Sequence, residues 1–227
     1  MSVRRKLDKY LDDCRTFPDD AALAFRLEGI SGVWDTLAAR TIDRVVRSGH
    51  MVVFAQGLDS APEIAPPPGV VIRPLAERDW PALGGIVTRR NLGLFRALLA
   101  NGHHALVAWR GSQPIGYGWV AERVGPEVTA CPLTLPPDAA YLWDLYVVPD
   151  ERSNGIGSAL ASARIRTARE CGFREGWRMI APSNAASLRT LARSGTDTRV
   201  VGELRFIKIL AKVHARFTPA QSSGRLN

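Results

Sequence analysis

The stretch that most restricts this chain is Val147-Val148-Pro149-Asp150-Glu151-Arg152-Ser153-Asn154-Gly155-Ile156-Gly157-Ser158-Ala159-Leu160. Ahead of it, Ala140 to Val148 is the most strand-like run in the sequence, and Pro149 and Asp150 end it. Behind it a helix is predicted from about Gly155 to Cys171. A buried strand therefore runs into a glycine-bearing turn that opens a helix. The first N–H groups of such a helix lack intrahelical partners and point outward. The helix dipole adds positive potential and Arg152 adds a full charge, so the turn suits an anion, with phosphate the natural occupant. Gly155 and Gly157 carry no Cβ to obstruct close approach. Taken alone, two glycines at a strand-to-helix junction are more often a tight turn than a phosphate cradle. The run is not a P-loop, because no Gly-Lys-Ser/Thr follows. It is not the dinucleotide fingerprint either, because the third glycine is missing.

The rest of the chain supplies a frame for this turn. The first fifty residues read as helical in three segments. Val3, Leu7, Tyr10, Leu11 and Cys14 recur at three- and four-residue spacing; Pro18, Asp19 and Asp20 open a second segment; a third begins near Ser31 or Gly32. Met51 to Ala55 reads as a short strand. Ala61 to Gly69, rich in proline and poor in backbone donors, reads as a linker. Beyond it, Val70–Leu75 is a predicted strand and Asp79-Trp80-Pro81 a helix start, with helical texture to about Leu99. Ala105–Trp109 and Pro114–Ala121 form a predicted hairpin. Trp177–Ala181 is a strand, Asn184–Ser194 a helix, and a last strand pair covers Arg199–Gly202 and Leu204–Leu210. The expected organisation is an N-terminal helical extension (1–60), a linker (61–69), a main α/β domain with a mixed sheet (70–212) and a C-terminal tail (213–227).

Composition narrows the function classes. The chain has 227 residues, of which 46% are hydrophobic, and a net charge of +8. It has core enough to fold, with no apolar run of bilayer length and no signal-like N-terminus. A soluble cytoplasmic protein, with no membrane partner, is the expectation. The charge is uneven: +1 over residues 1–50, −3 over 51–151 and +10 over 152–227. A basic C-terminal part beside an acidic middle suggests an anionic ligand on one side and a cationic one on the other. Zinc-finger spacing and aromatic RNA-binding signatures are absent, which argues against nucleic acid as a partner. Cys14, Cys131 and Cys171 are odd in number and widely spaced, the pattern of reduced structural thiols. His50, His103, His104 and His214 show no ligand spacing, so no metal is expected.

Arg152-x-x-Gly155-x-Gly157 after Leu145-x-Val147 and Pro149 resembles the coenzyme A signature of the GCN5-related N-acetyltransferases (GNAT). The likeness continues through the Trp177–Ala181 strand to Asn184-x-x-Ser187 and a helix ending at Gly195, and covers Val70 to about Lys212. The resemblance implies a mixed, mostly antiparallel twisted sheet flanked by helices. It implies a strand splayed from its neighbour, with backbone groups of Leu145, Tyr146 and Val147 holding the acyl-pantetheine arm. The amides of Ser153, Asn154, Gly155, Ile156, Gly157 and Ser158 would bind the pyrophosphate. Asn184 and Ser187 match positions that contact pantetheine or nucleotide, although Asn184 also reads as a helix N-cap. The implied reaction is attack of an amine, on a small molecule or a protein, on the thioester of acetyl-CoA or another acyl-CoA. The attacking nitrogen must lose a proton, and a strand N–H near Val147 would support the oxyanion.

Asp144 is the first candidate for base or acceptor binding, because an unpaired carboxylate inside an apolar strand is costly. Period-two alternation places it on one face with Tyr146. The polyamine-acetylating member of the family has an acid in a similar Tyr-Leu-x-Asp run. Glu122 is a weaker candidate. One departure stands out: the family's tyrosine seven residues after Asn184, which protonates the leaving thiolate, is Leu191 here. Tyr146, Tyr117 or water would take that role. Leu191 also keeps a second reading open, a catalytically weak CoA-binding module that regulates or docks a partner protein. Residues 1–60 would then contact the partner; in the enzyme reading they cap the acceptor side or mediate homodimer formation.

Overall fold

The computed structural model describes residues 3–40, 46–125, 133–194, 197–209 and 212–220. In chain order the elements are α1 (Val3–Arg40), β1 (Val46–Gly57), β2 (Val70–Pro74), α2 (Trp80–Leu83), α3 (Arg89–Ala100), β3 (His104–Arg110), β4 (Gln113–Ala121), β5 (Ala139–Val147), α4 (Ile156–Glu170), β6 (Glu175–Ile180), α5 (Ala185–Arg193), β7 (Thr198–Ile209) and β8 (Lys212–Pro219). The eight strands form one sheet in the order β2-β3-β4-β5-β6-β1-β7-β8. Among the described residues only β5 and β6 run parallel; the other neighbours are antiparallel. This is the mixed, mostly antiparallel sheet with flanking helices that the sequence predicts.

Three expectations need correction. The strand expected over 51–55 runs from Val46 to Gly57 and sits inside the sheet, between β6 and β7. It lies N-terminal to the proline-rich segment yet completes the same sheet, so residues 1–60 are not helical throughout. Residues 213–219, expected as tail, belong to β8, which pairs with β7 over its whole length. The two short strands expected over 199–210 are one continuous strand, β7. The three N-terminal helical segments run together as α1, interrupted at Gly29, where φ of 67° breaks the helical path. The proline-rich segment has no regular structure but is anchored: Ile64 N–H donates to Ser162 Oγ at 2.9 Å, and Ser162 Oγ donates to the Pro62 carbonyl.

β4 is buried from Pro114 to Ala121 because both faces of the sheet are covered there. On one face Phe95 of α3 meets Tyr117 and Trp119 edge-on, at centroid separations of 5.1 and 4.8 Å. On the other, α4 packs so closely that a Cβ at Gly118 would lie 2.9 Å from Arg164 Cδ. The N-terminal helix is tied to this body by polar contacts. Buried Asp20 of α1 accepts from the Arg89 N–H at the start of α3, supplying an acceptor to an otherwise orphaned donor.

Asp79, also buried, holds the entrance to α2. Its carboxylate accepts from both Arg73 guanidinium nitrogens and from the Ala76 N–H. These contacts, the Arg73 hydrogen bond first, hold its pKa below the usual carboxylate range. A carboxylate with a depressed folded pKa stabilises the fold above its unfolded pKa of about 4, and the contribution fades as pH falls through the lower folded value. Asp79→Ala is expected to cost about 2 kcal/mol at neutral pH, read as a lower urea midpoint. The gap to the parent should narrow as pH drops below about 4.

Candidate active site

The parallel pairing of β5 with β6 is brief. It spans Ala139–Tyr141 against Glu175–Trp177 and then ends. Beyond Tyr141, β5 keeps only its β4 neighbour, so Leu145, Tyr146 and Val147 have no strand partner on the β6 side. A gap opens there between β5 and β6, and α4 begins beside it.

β5 carries a bulge at the gap. Tyr117 pairs with Tyr146, and Trp119 with Trp143, so the single residue Gly118 faces both Asp144 and Leu145. Asp144 adopts φ of 45°, a left-handed conformation that Asp tolerates better than most residues. The bulge breaks the alternation that the sequence implies. Trp143 and Tyr146 share a face, their rings lying 6.0 Å from Trp119 and 5.4 Å from Tyr117. Asp144 is thus not simply on the face of Tyr146. Solvent reaches it, yet the protein packed behind it raises its pKa to about 6 by desolvation, with Arg164 opposing. Its charge in turn acts on Tyr117, whose pKa is driven well above the ordinary value by burial first, then by Asp144 and Tyr146.

Tyr146 has a partner that sequence reading missed. Its hydroxyl donates to Glu28 of α1 at 3.1 Å. Desolvation, and then Glu28, push its pKa up to about 12. Glu28 also pairs with the Arg152 guanidinium, while Arg152 Nε donates to the Val147 carbonyl at 3.0 Å. Arg152 therefore folds back over the end of β5, its charge matched by Glu28, and does not stand as a free cation at the turn. Nothing in the sequence links positions 28, 146 and 152; only the docking of α1 does.

The turn itself keeps its donors. Gly155 is the N-cap of α4 with φ of 81°, and no side chain caps this helix start. Ser153 also adopts a positive φ of 66°. The N–H groups of Ile156, Gly157 and Ser158 lie in the first turn, where no intrahelical acceptor exists. The two glycines differ. Gly155 is required by its backbone conformation. At Gly157 a Cβ would meet only Leu145 Cδ2 and Val147 Cγ2, both at an ordinary 3.9 Å. The protein's own packing leaves room for a Cβ there, so the missing side chain preserves space beside the helix start.

Two buried arginines line the protein around the gap. Arg164 of α4 donates to the Trp143 carbonyl at 3.0 Å. Its Nε, and the Nε and Nη2 of Arg178 on β6, find no partner among the described residues. Burial lowers the Arg164 pKa to about 9, with Arg178 adding to the shift and Asp144 and Tyr141 opposing it. Burial alone lowers that of Arg178 to about 10.

The remaining candidates are placed as follows. Asn184 caps α5, its Oδ1 accepting from the Ser187 N–H at 3.0 Å. Leu191 is buried against Phe54 and Ile180, so no proton donor stands at that position. Glu122 lies past the end of β4, bonded to His104, and does not join Asp144. Among the described residues no helix is long and apolar enough to cross a membrane. A cleft of about 570 Å³ opens beside the end of β5, between Arg26 and Leu27 of α1 and Gln113, Pro114, Val148 and Pro149.

Residues 71–195 match the model of the acetyltransferase (GNAT) family. No curated protein sequence shows significant similarity. Among solved structures, a Drosophila protein superposes with a TM-score of 0.54 at 16% identity, covering 80% of this chain and 67% of its own. The GCN5-related glucosamine N-acetyltransferase region of a fungal multi-domain β-N-acetylglucosaminidase gives 0.51 at 12% identity, covering 75% of this chain and 22% of its own. A GNAT-family protein of Novosphingobium aromaticivorans gives 0.48 at 17% identity, covering 71% of this chain and 64% of its own. The chain thus spans about two thirds of the Drosophila and Novosphingobium structures. At these identities the first two likenesses, with TM-scores above 0.5, speak to the fold alone. The family model covers more than half of the sequence, and the chain belongs to the GNAT family of acetyltransferases.

Proposed function

We propose that this protein transfers an acetyl group from acetyl-CoA, or another short acyl group from its CoA ester, to an amine. The observation that carries this reading is the uncapped, glycine-opened start of α4 beside the β5–β6 gap, with Asp144 at the bulge on the unpaired part of β5. The acyl-CoA supplies the activated thioester. The amides of residues 153–158 grip its diphosphate, and the β6 side of Leu145–Val147 receives the pantetheine arm. Asn184 and Ser187 border its outer part.

Asp144 takes the proton from the attacking nitrogen. With a pKa of about 6 it is ionised at neutral pH and basic enough to serve. The N–C bond forms as the C–S bond breaks, and Tyr146 donates its proton to the departing sulfur in place of the absent residue-191 tyrosine. Glu28 keeps that hydroxyl protonated until then. The acceptor is a cationic amine, drawn by the carboxylate of Asp144.

Incubation of the full chain with acetyl-CoA and a panel of polyamines, aminosugars and peptide N-termini tests this reading, by release of free thiol. Turnover of at least one amine is expected. Tyr146→Phe should lower kcat by about 100-fold with little change in the acetyl-CoA KM. Affinity for acetyl-CoA without turnover of any amine would favour the CoA-binding regulatory module.

A further inference from the structure

At the end of the sheet away from the α4 N-terminus, three chemically different side chains converge. His104 begins β3, Glu122 follows β4, and Cys171 is the C-cap of α4. His104 Nε2 lies 3.3 Å from Glu122 Oε1 and 3.5 Å from Cys171 Sγ, and one ligating atom from each residue lies within 4.8 Å of the others. We propose that these residues form a binding site for a divalent transition-metal ion of the zinc type, separate from the acyl-transfer site.

Three observations support it. The first is geometry. Zinc bonds of about 2.05 Å to nitrogen or oxygen and about 2.3 Å to sulfur, at tetrahedral angles, put N and O about 3.3 Å apart and N and S about 3.6 Å apart. The two observed separations sit at those values. The second is the shared nitrogen. Both contacts are made by Nε2, and one imidazole nitrogen either donates a hydrogen to the carboxylate or accepts one from the thiol. A single hydrogen on Nε2 serves the two neighbours only as a weak shared bond, whereas a cation between the three atoms engages a lone pair of each. The third is the donor set. An imidazole nitrogen, a thiolate sulfur and a carboxylate oxygen favour a borderline ion such as Zn²⁺ over Mg²⁺ or Ca²⁺, and their joint charge of −2 balances it.

The elements hold the donors in place without the ion. β3 and β4 are paired neighbours, with His104 opposite Val120, two residues before Glu122. Gly172, at φ of 89°, turns the chain at the end of α4 and leaves Cys171 at the helix terminus. His104, Glu122 and Cys171 all keep solvent contact, so water or a group from another molecule takes the fourth position. Burial, then the charges of Glu122 and Glu170, raise the Cys171 pKa.

Titration of the full chain with Co²⁺, a spectroscopic substitute for Zn²⁺, tests the site. The expected result is one ion per chain, with thiolate-to-cobalt charge-transfer absorption in the near ultraviolet and intense tetrahedral visible bands. Zn²⁺ should abolish both. Cys171→Ser should remove the charge-transfer absorption, and the double variant Cys14→Ser/Cys131→Ser should keep it. His104→Ala should weaken binding by more than the roughly 10- to 100-fold that loss of a supporting hydrogen bond costs. Absence of charge transfer in the parent chain, or its survival in Cys171→Ser, would overturn the site. None of these readouts depends on acyl transfer.

Discussion

Asp144→Asn is expected to lower kcat/KM for the amine by about 100- to 10,000-fold, the range that a positioned general base contributes. The amide is nearly isosteric and keeps a polar group at the bulge, so folding should survive. Acetyl-CoA affinity should change little, because Asp144 is assigned to the acceptor rather than to the coenzyme. The pH profile separates a base from a residue that merely shapes the gap. In the parent enzyme kcat/KM should rise through a pKa of about 6 as Asp144 loses its proton. In the variant that limb should be absent, leaving only the titration of the amine itself. An unaltered limb near pH 6 in Asp144→Asn would transfer the role to another group.

The second large effect concerns the coenzyme. Gly157→Val should weaken acyl-CoA binding by about 100-fold. That is the loss of about 3 kcal/mol, one or two hydrogen bonds to a charged phosphate. The side chain enters the space that the glycine leaves beside the first turn of α4. The fold gives no reason for glycine there: a Cβ meets only two side-chain carbons at 3.9 Å. A residue with a side chain in place of glycine inside a helix favours helix formation, so the melting temperature should hold or rise as binding collapses. Calorimetric titration with CoA, beside a thermal melt, reads both quantities. Parallel loss of stability and binding would instead make Gly157 a packing residue. Gly155→Ala is a weaker test, because φ of 81° strains any side chain whether or not a ligand binds.

Much of this was legible in the one-dimensional pattern. The strand over 139–147, the turn and the helix over 156–170 follow from alternation, proline and glycine within one contiguous stretch. The same is true of β3, β4, β6 and α5, each recovered within two or three residues. Such elements depend on local backbone preference and on one buried face, both written in neighbouring residues. β1 and β8 were misjudged because their place depends on partners far along the chain. β1 completes the sheet only by meeting β6 and β7, more than a hundred residues later. A strand set between others shows no local sign of which neighbours it will find.

The site divides in the same way. Arg152 was legible as a charge, but its consumption by Glu28 was not. Asp144 was legible as an odd carboxylate in an apolar strand, but the bulge that parts it from the face of Tyr146 was not, since a bulge is a mismatch between two strands. Arg164 and Arg178 were not singled out in the sequence; their burial follows from how α4 and β6 pack. His104, Glu122 and Cys171 lack ligand spacing because the sheet and helix, not the chain, bring them together.

By itself the sequence determined where a strand must hand its chain to an uncapped helix, because proline, glycine and apolar alternation act over a few residues. It determined the family through that same local grammar. Only the tertiary structure decided which charges are already matched, which donors are left wanting and which carboxylate sits at a bulge. Those outcomes depend on burial and on distances of a few ångströms between residues remote in sequence, and electrostatic interactions are set by both.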